Sequence, residues 1–155
     1  MGRNLALVRA EATAQRIGTG GIDSWAMSRL LRLVARASLS AIFISSGVDL
    51  LQNPEGRTKR AADALPGMPE LPIIGRIHGA AMLTAGTTMA LGILPALSAG
   101  VLAVSLIPNT YVGHPFWKEE EPAARRGQQI QFLKNVGLFG GLIALILEER
   151  ARKQG

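Results

Sequence analysis

The run from Ile73 to Leu94, IIGRIHGAAMLTAGTTMALGIL, is followed after one proline by Ala96 to Val112, ALSAGVLAVSLIPNTYV. Two further apolar blocks, Val34 to Leu51 and Ile130 to Leu147, flank this pair. Each block holds about 17 to 22 residues, and at 1.5 Å of rise per residue a helix of that length matches a hydrocarbon core of roughly 30 Å. A water-exposed helix would place charges every turn or two to make a wet face. These four blocks do not. The connection around Leu94, Pro95 and Ala96 is too short for anything but an antiparallel neighbour, so the second and third blocks form a helical hairpin. The expected fold class is therefore all-α, a polytopic transmembrane four-helix bundle.

Composition agrees with this reading. The 155 residues are 48% hydrophobic and carry a formal net charge of +6, with a mean hydropathy of +0.23. No cysteine is present, which removes thiolate nucleophiles, disulfide exchange and thiolate metal sites. The basic excess does not gather on one wet surface as a nucleic-acid footprint would. In a membrane protein it reads as orientation and headgroup contact instead. Arg29 and Arg32 precede the first block and Arg36 lies in its first turn, Arg150, Arg152 and Lys153 follow the last, and the two longer loops balance their charges. Cytoplasmic N and C termini in a cell membrane are the expectation. Three segments result: a basic N-terminal extension over residues 1–29, a four-span membrane domain over 30–147 and a charged tail over 148–155. The apolar patch Leu5 to Val8 is too short for a signal-peptide core, so Met1 to Ile17 is expected to lie at the headgroups or to be a flexible tail. Gly18 to Gly21 reads as a break.

Antiparallel crossings bring the end of the first span, the start of the second, the end of the third and the start of the fourth to one membrane face. The polar residues of the spans collect there. Asp49 closes the first, Arg76 and His78 open the second, Asn109, Thr110 and His114 close the third, and Gln131, Lys134 and Asn135 open the fourth. Ser38, Ile42, Ser45 and Asp49 share one helical stripe. Arg76 and His78 stand about 200° apart on a helix, so only one of them can face a shared cavity. An ionisable group within a span costs about 2.5 to 3.5 kcal/mol even on lenient scales, which demands a partner or a wet cavity. Two arrangements satisfy that demand. One is a structural ion pair of Asp49 with Lys134 or Arg76. The other is a pocket open to the outer face, lined by Asp49, Arg76, Asn109, His114, Gln131, Lys134 and Asn135, that takes a small amphipathic ligand. His78 and His114 have no spaced set of companion ligands, so no metal site is expected. Trp117, beside Phe116 and Tyr111, reads as an interfacial anchor. Gly75 with Gly79, and Gly137 with Gly141, have the four-residue spacing that lets helix backbones approach in lipid.

The run Phe43 to Pro54, the segment Gly86 to Gly92, Pro108-Asn109-Thr110 with Gly113 to Trp117, and Gln131 to Asn135 with Gly140-Gly141-Leu142 together resemble the DoxX family of four-span membrane proteins, most of all its actinobacterial branch. The resemblance implies a membrane subunit or anchor of a redox or oxidative-stress complex. Quinone is the cofactor or ligand it suggests, and other membrane or membrane-associated proteins are the partners. The family includes relatives of a thiosulfate:quinone oxidoreductase subunit and proteins associated with superoxide dismutase and a sulfurtransferase. The residues themselves supply no haem-ligand pair, iron-sulfur cysteines, dinucleotide fingerprint or other self-contained catalytic motif. A non-catalytic accessory subunit of a larger assembly is the alternative they leave open.

Overall fold

A computed structural model describes residues 20–155, with side chains from Ser24 onward. The expectation for Met1 to Ile17 lies outside the described residues. Five α-helices follow one another: α1 (Gly20–Gln52), α2 (Glu55–Ala64), α3 (Pro72–Ala90), α4 (Pro95–Gly113) and α5 (Pro122–Gln154), with one 3-10 turn at Phe116–Lys118. Gly20 and Gly21, expected in a break, begin α1. The chain divides into two compact units, residues 1–35 and 36–155. In the first, the described side chains Trp25, Leu30, Leu31 and Leu33 are all more than half exposed, and the Arg29 guanidinium lies 3.4 Å from the centroid of the Trp25 ring.

Proline places the helix starts of the second unit. Pro72, Pro95 and Pro122 each occupy the first turn of a helix, where a fixed φ is useful and the missing N–H would have had no partner. The α3–α4 turn is closed by a Schellman motif. The Ile93 N–H donates to the Thr88 carbonyl at 2.8 Å and the Gly92 N–H to Met89 at 3.0 Å. Gly92 takes the left-handed conformation (φ +74°) that this motif needs. Thr88 and Ser98 then join their hydroxyls across the turn at 2.9 Å.

Residue contacts give the topology. Gly47 of α1 lies against Gly79 of α3, Ile44 against Gly86 and Leu50 against Gly75, so α1 and α3 run antiparallel. Thr110 of α4 meets Asn135 of α5 and His114 meets Gln128, so these two are antiparallel as well. Leu39 touches Gly141 and Arg36 pairs with Glu149, which closes α5 onto α1. The second unit is thus an up-down-up-down bundle of four long helices around Phe43, Met82, Met89, Leu102 and Leu142, all buried. Among the described residues, three helical segments are long and apolar enough to cross a membrane: Ser24–Gln52, Pro95–Lys118 and Pro122–Gln154. The 19-residue α3 has the length, but with Arg76, His78, Thr84, Thr87 and Thr88 along it, it is not among these three.

Small residues are used unevenly. A Cβ at Gly79 would stand 2.8 Å from the Gly47 carbonyl oxygen, and one at Gly47 would stand 2.8 Å from the Gly79 carbonyl. Here two backbones meet. Gly141, by contrast, faces only the Leu39 side chain, and Gly137 has nothing within 4 Å of where a Cβ would be. The spacing on α5 therefore does not create a second backbone contact among the described residues.

Candidate functional site

At the end of the bundle where α1 finishes and α3 begins, the helices part around a cavity of about 310 Å³. That volume falls at the small end of the range for small-molecule sites. The short helix α2 covers it, with Arg57, Thr58, Arg60 and Ala61 in the wall. Thr58 is buried, its hydroxyl turned back to the carbonyls of Pro54 (3.0 Å) and Glu55 (3.1 Å) within the first turn of α2. Gly75 then lets α3 come close, since a Cβ there would stand 2.9 Å from the Thr58 methyl. The inner wall is apolar, formed by Phe43, Met82, Leu106 and Leu138, and polar groups from α3, α4 and α5 complete the lining.

Four of the expected residues line this cavity: Asn109, His114, Lys134 and Asn135. Asn135 is buried and donates to the Thr110 hydroxyl at 3.1 Å, which in turn donates to the Leu106 carbonyl at 2.7 Å. That chain ties α5 to α4. Asn109 points its amide at the Met82 sulfur, 3.3 Å away. His114 Nδ1 lies 2.9 Å from the Gln128 side-chain oxygen, and the Lys134 ammonium donates to Gln131.

Asp49, Arg76 and Gln131 do not line the cavity. The expected pairing of Asp49 with Lys134 or Arg76 is replaced by Asp49 with Arg57, at 2.7 Å. The reason is rotational. Ser38, Ser45 and Asp49 are all exposed, so the polar stripe of α1 faces away from the bundle, while Ser40, Phe43, Gly47 and Leu50 face in. Asp49 reaches the cavity's edge only through Arg57, a partner eight residues later on α2. On α3 the choice between two residues separated by about 200° falls to His78, which lines the cavity, while Arg76 is exposed. The His78 Nε2 atom is buried and has no hydrogen-bond partner among the described residues.

Sequence reasoning also passed over Arg57 and Arg60, because their loop carries no apolar block. The one available signal was the helical spacing of Arg57, Arg60 and Ala61 between two prolines. Beyond the cavity, Phe116 and Trp117 of the 3-10 turn pack with Tyr111 and Phe132 at ring separations of 5.3 to 6.1 Å. Trp117 therefore pins the loop to α5. Among the described residues no group of three His, Asp or Glu side chains could hold a metal ion.

A family model described as DoxX matches residues 31–115, more than half of the chain. The chain belongs to the DoxX family. The matched segment contains α2, α3 and α4 and most of α1, hence three of the four walls of the cavity and its cover, while Lys134 and Asn135 lie beyond it. No curated protein and no solved structure matches the chain.

Proposed function

We propose that this DoxX protein is the membrane-embedded binding subunit of a redox or oxidative-stress assembly, and that its cavity receives a quinone or another small amphipathic molecule. One observation carries the reading. A 310 Å³ space with an apolar inner wall is bordered by polar side chains, one of which, His78, keeps a buried ring nitrogen without a partner among the described residues. Burying a polar atom without a hydrogen-bond partner costs about 1–3 kcal/mol, a cost that a ligand hydrogen-bonded to this nitrogen removes. The quinone link comes from the family alone.

The same reading includes four crossings of the cell membrane with both termini in the cytoplasm. Support comes from the closed antiparallel ring, which commits α3 to cross wherever α1 and α4 do, and from the basic residues in the N-terminal part of α1 and at the C-terminal end of α5. Native mass spectrometry of gently solubilised protein tests the assignment. A copurifying quinone or amphiphile, displaced in an Ala61→Phe variant that fills the cavity, is the expected result. A stoichiometric protein partner with an empty cavity would favour the accessory-subunit alternative instead.

A further inference from the structure

The charges around the cavity are one-sided. Arg57, Arg60 and Lys134 line it together with His78 and His114, and among the described residues no aspartate or glutamate does. Arg57 is neutralised from outside the wall by Asp49. Neither Arg60 nor Lys134 has a carboxylate within salt-bridge distance among the described residues. Arg60 spends only its Nε–H, on the Gly56 carbonyl at 3.1 Å, and leaves its two terminal amino groups for another acceptor. Lys134 meets only the neutral amide of Gln131. Both cations are exposed at the cavity, where positive charge without a counter-charge attracts an anion, and a planar guanidinium fork matches an oxyanion in two-point geometry. The opposite wall, built from Phe43, Met82 and Leu106, offers nothing to a charge.

We propose that the occupant of this cavity is an anionic amphiphile, whose carboxylate or phosphate head is held by Arg60 and Lys134 and whose apolar body lies along Phe43, Met82 and Leu106. The inference rests on the reading of the cavity as a binding site and adds the sign of its ligand. A fatty acid and the head of an anionic membrane lipid share this chemistry. At about 310 Å³ the cavity encloses one head and one short apolar body.

The test uses the full chain in phosphatidylcholine nanodiscs and a series of ten-carbon amphiphiles with different heads: decanoate, decyl phosphate, decanol, decyltrimethylammonium and decylubiquinone. Calorimetry should rank the two anions at least tenfold tighter than the neutral and cationic members. Arg60→Gln and Lys134→Gln, both at exposed positions whose loss does not threaten folding, should each weaken the anions about tenfold, the effect of one lost charge-assisted hydrogen bond. Binding of decanol should not change in either variant. Nanodiscs doped with phosphatidylglycerol identify the source: competition with decanoate assigns the site to the lipid head, and its absence assigns it to the free acid. Equal binding of decanol or decylubiquinone, unaffected by either substitution, would overturn the anionic head and leave the binding site standing. If no member of the series binds, and Ala61→Phe changes nothing, the binding site fails with it.

Discussion

Replacing Gly79 with alanine is the sharpest probe of how α1 and α3 are held. The added methyl would stand 2.8 Å from the Gly47 carbonyl oxygen and 3.1 Å from the Leu51 nitrogen, both backbone atoms that no rotamer change can move. Ordinary contact begins at 3.4 Å, so the two helices must separate by about 0.6 Å along their contact, and overpacking of this kind costs about 1–3 kcal/mol. Alanine also gains about 1 kcal/mol of helix propensity over glycine. Gly137→Ala isolates that gain, because nothing lies within 4 Å of the new atom. Taking Gly137→Ala as the reference cancels the propensity term, and Gly79→Ala should be less stable than it by about 1–3 kcal/mol. Equilibrium unfolding in mixed micelles reads the difference. Gly47→Ala should behave like Gly79→Ala, and the double variant should lose less than the sum, since one separation of the helices accommodates both methyls. Equal stability of Gly79→Ala and Gly137→Ala would refute the backbone contact.

Glu149 is buried between Arg36 and Arg152, so Glu149→Ala should destabilise the bundle by about 3–5 kcal/mol by stranding Arg36, while the double change with Arg36→Met should recover much of the loss in the same unfolding assay. At the start of α5, Glu121 accepts the Ala124 N–H at 2.6 Å and the Ala123 N–H at 3.0 Å. Those two hydrogen bonds hold its carboxyl below the usual carboxylate range. Its contribution is therefore complete above the ordinary glutamate value and disappears as pH falls through the lowered one. Hydrogen exchange of the Ala123 and Ala124 amides, corrected for intrinsic pH dependence, should lose protection across that window, and Glu121→Gln should flatten the change. Cysteines introduced at Lys59 and Lys118 should react with an impermeant reagent outside intact cells; protection of both, with labelling near Arg152, would reverse the orientation.

The fold class was legible because lipid imposes a length and a composition on each spanning helix, and both are local properties of the chain. Blocks of about 17 to 22 apolar residues, the short connection at Pro95 and the prolines that open α3, α4 and α5 are all readable without neighbours. So was the convergence of polar groups at one end, since antiparallel crossings leave no other place for Asn109, His114, Lys134 and Asn135. Rotation of each helix about its own axis is different in kind. It is set by which small residues let partners approach, and the contact between Gly47 and Gly79 turns Asp49 outward. The partner of Asp49 then becomes Arg57 on a loop helix, rather than Lys134 or Arg76 within a span. Likewise, nothing local in Glu55 to Ala64 says that this short helix covers the bundle and brings Arg57 and Arg60 to the cavity. Local composition and spacing are enough to set the long helices, their alternation and the face where polar groups gather. Which of those groups share a cavity depends on close approach between residues far apart in the chain, and is settled by packing.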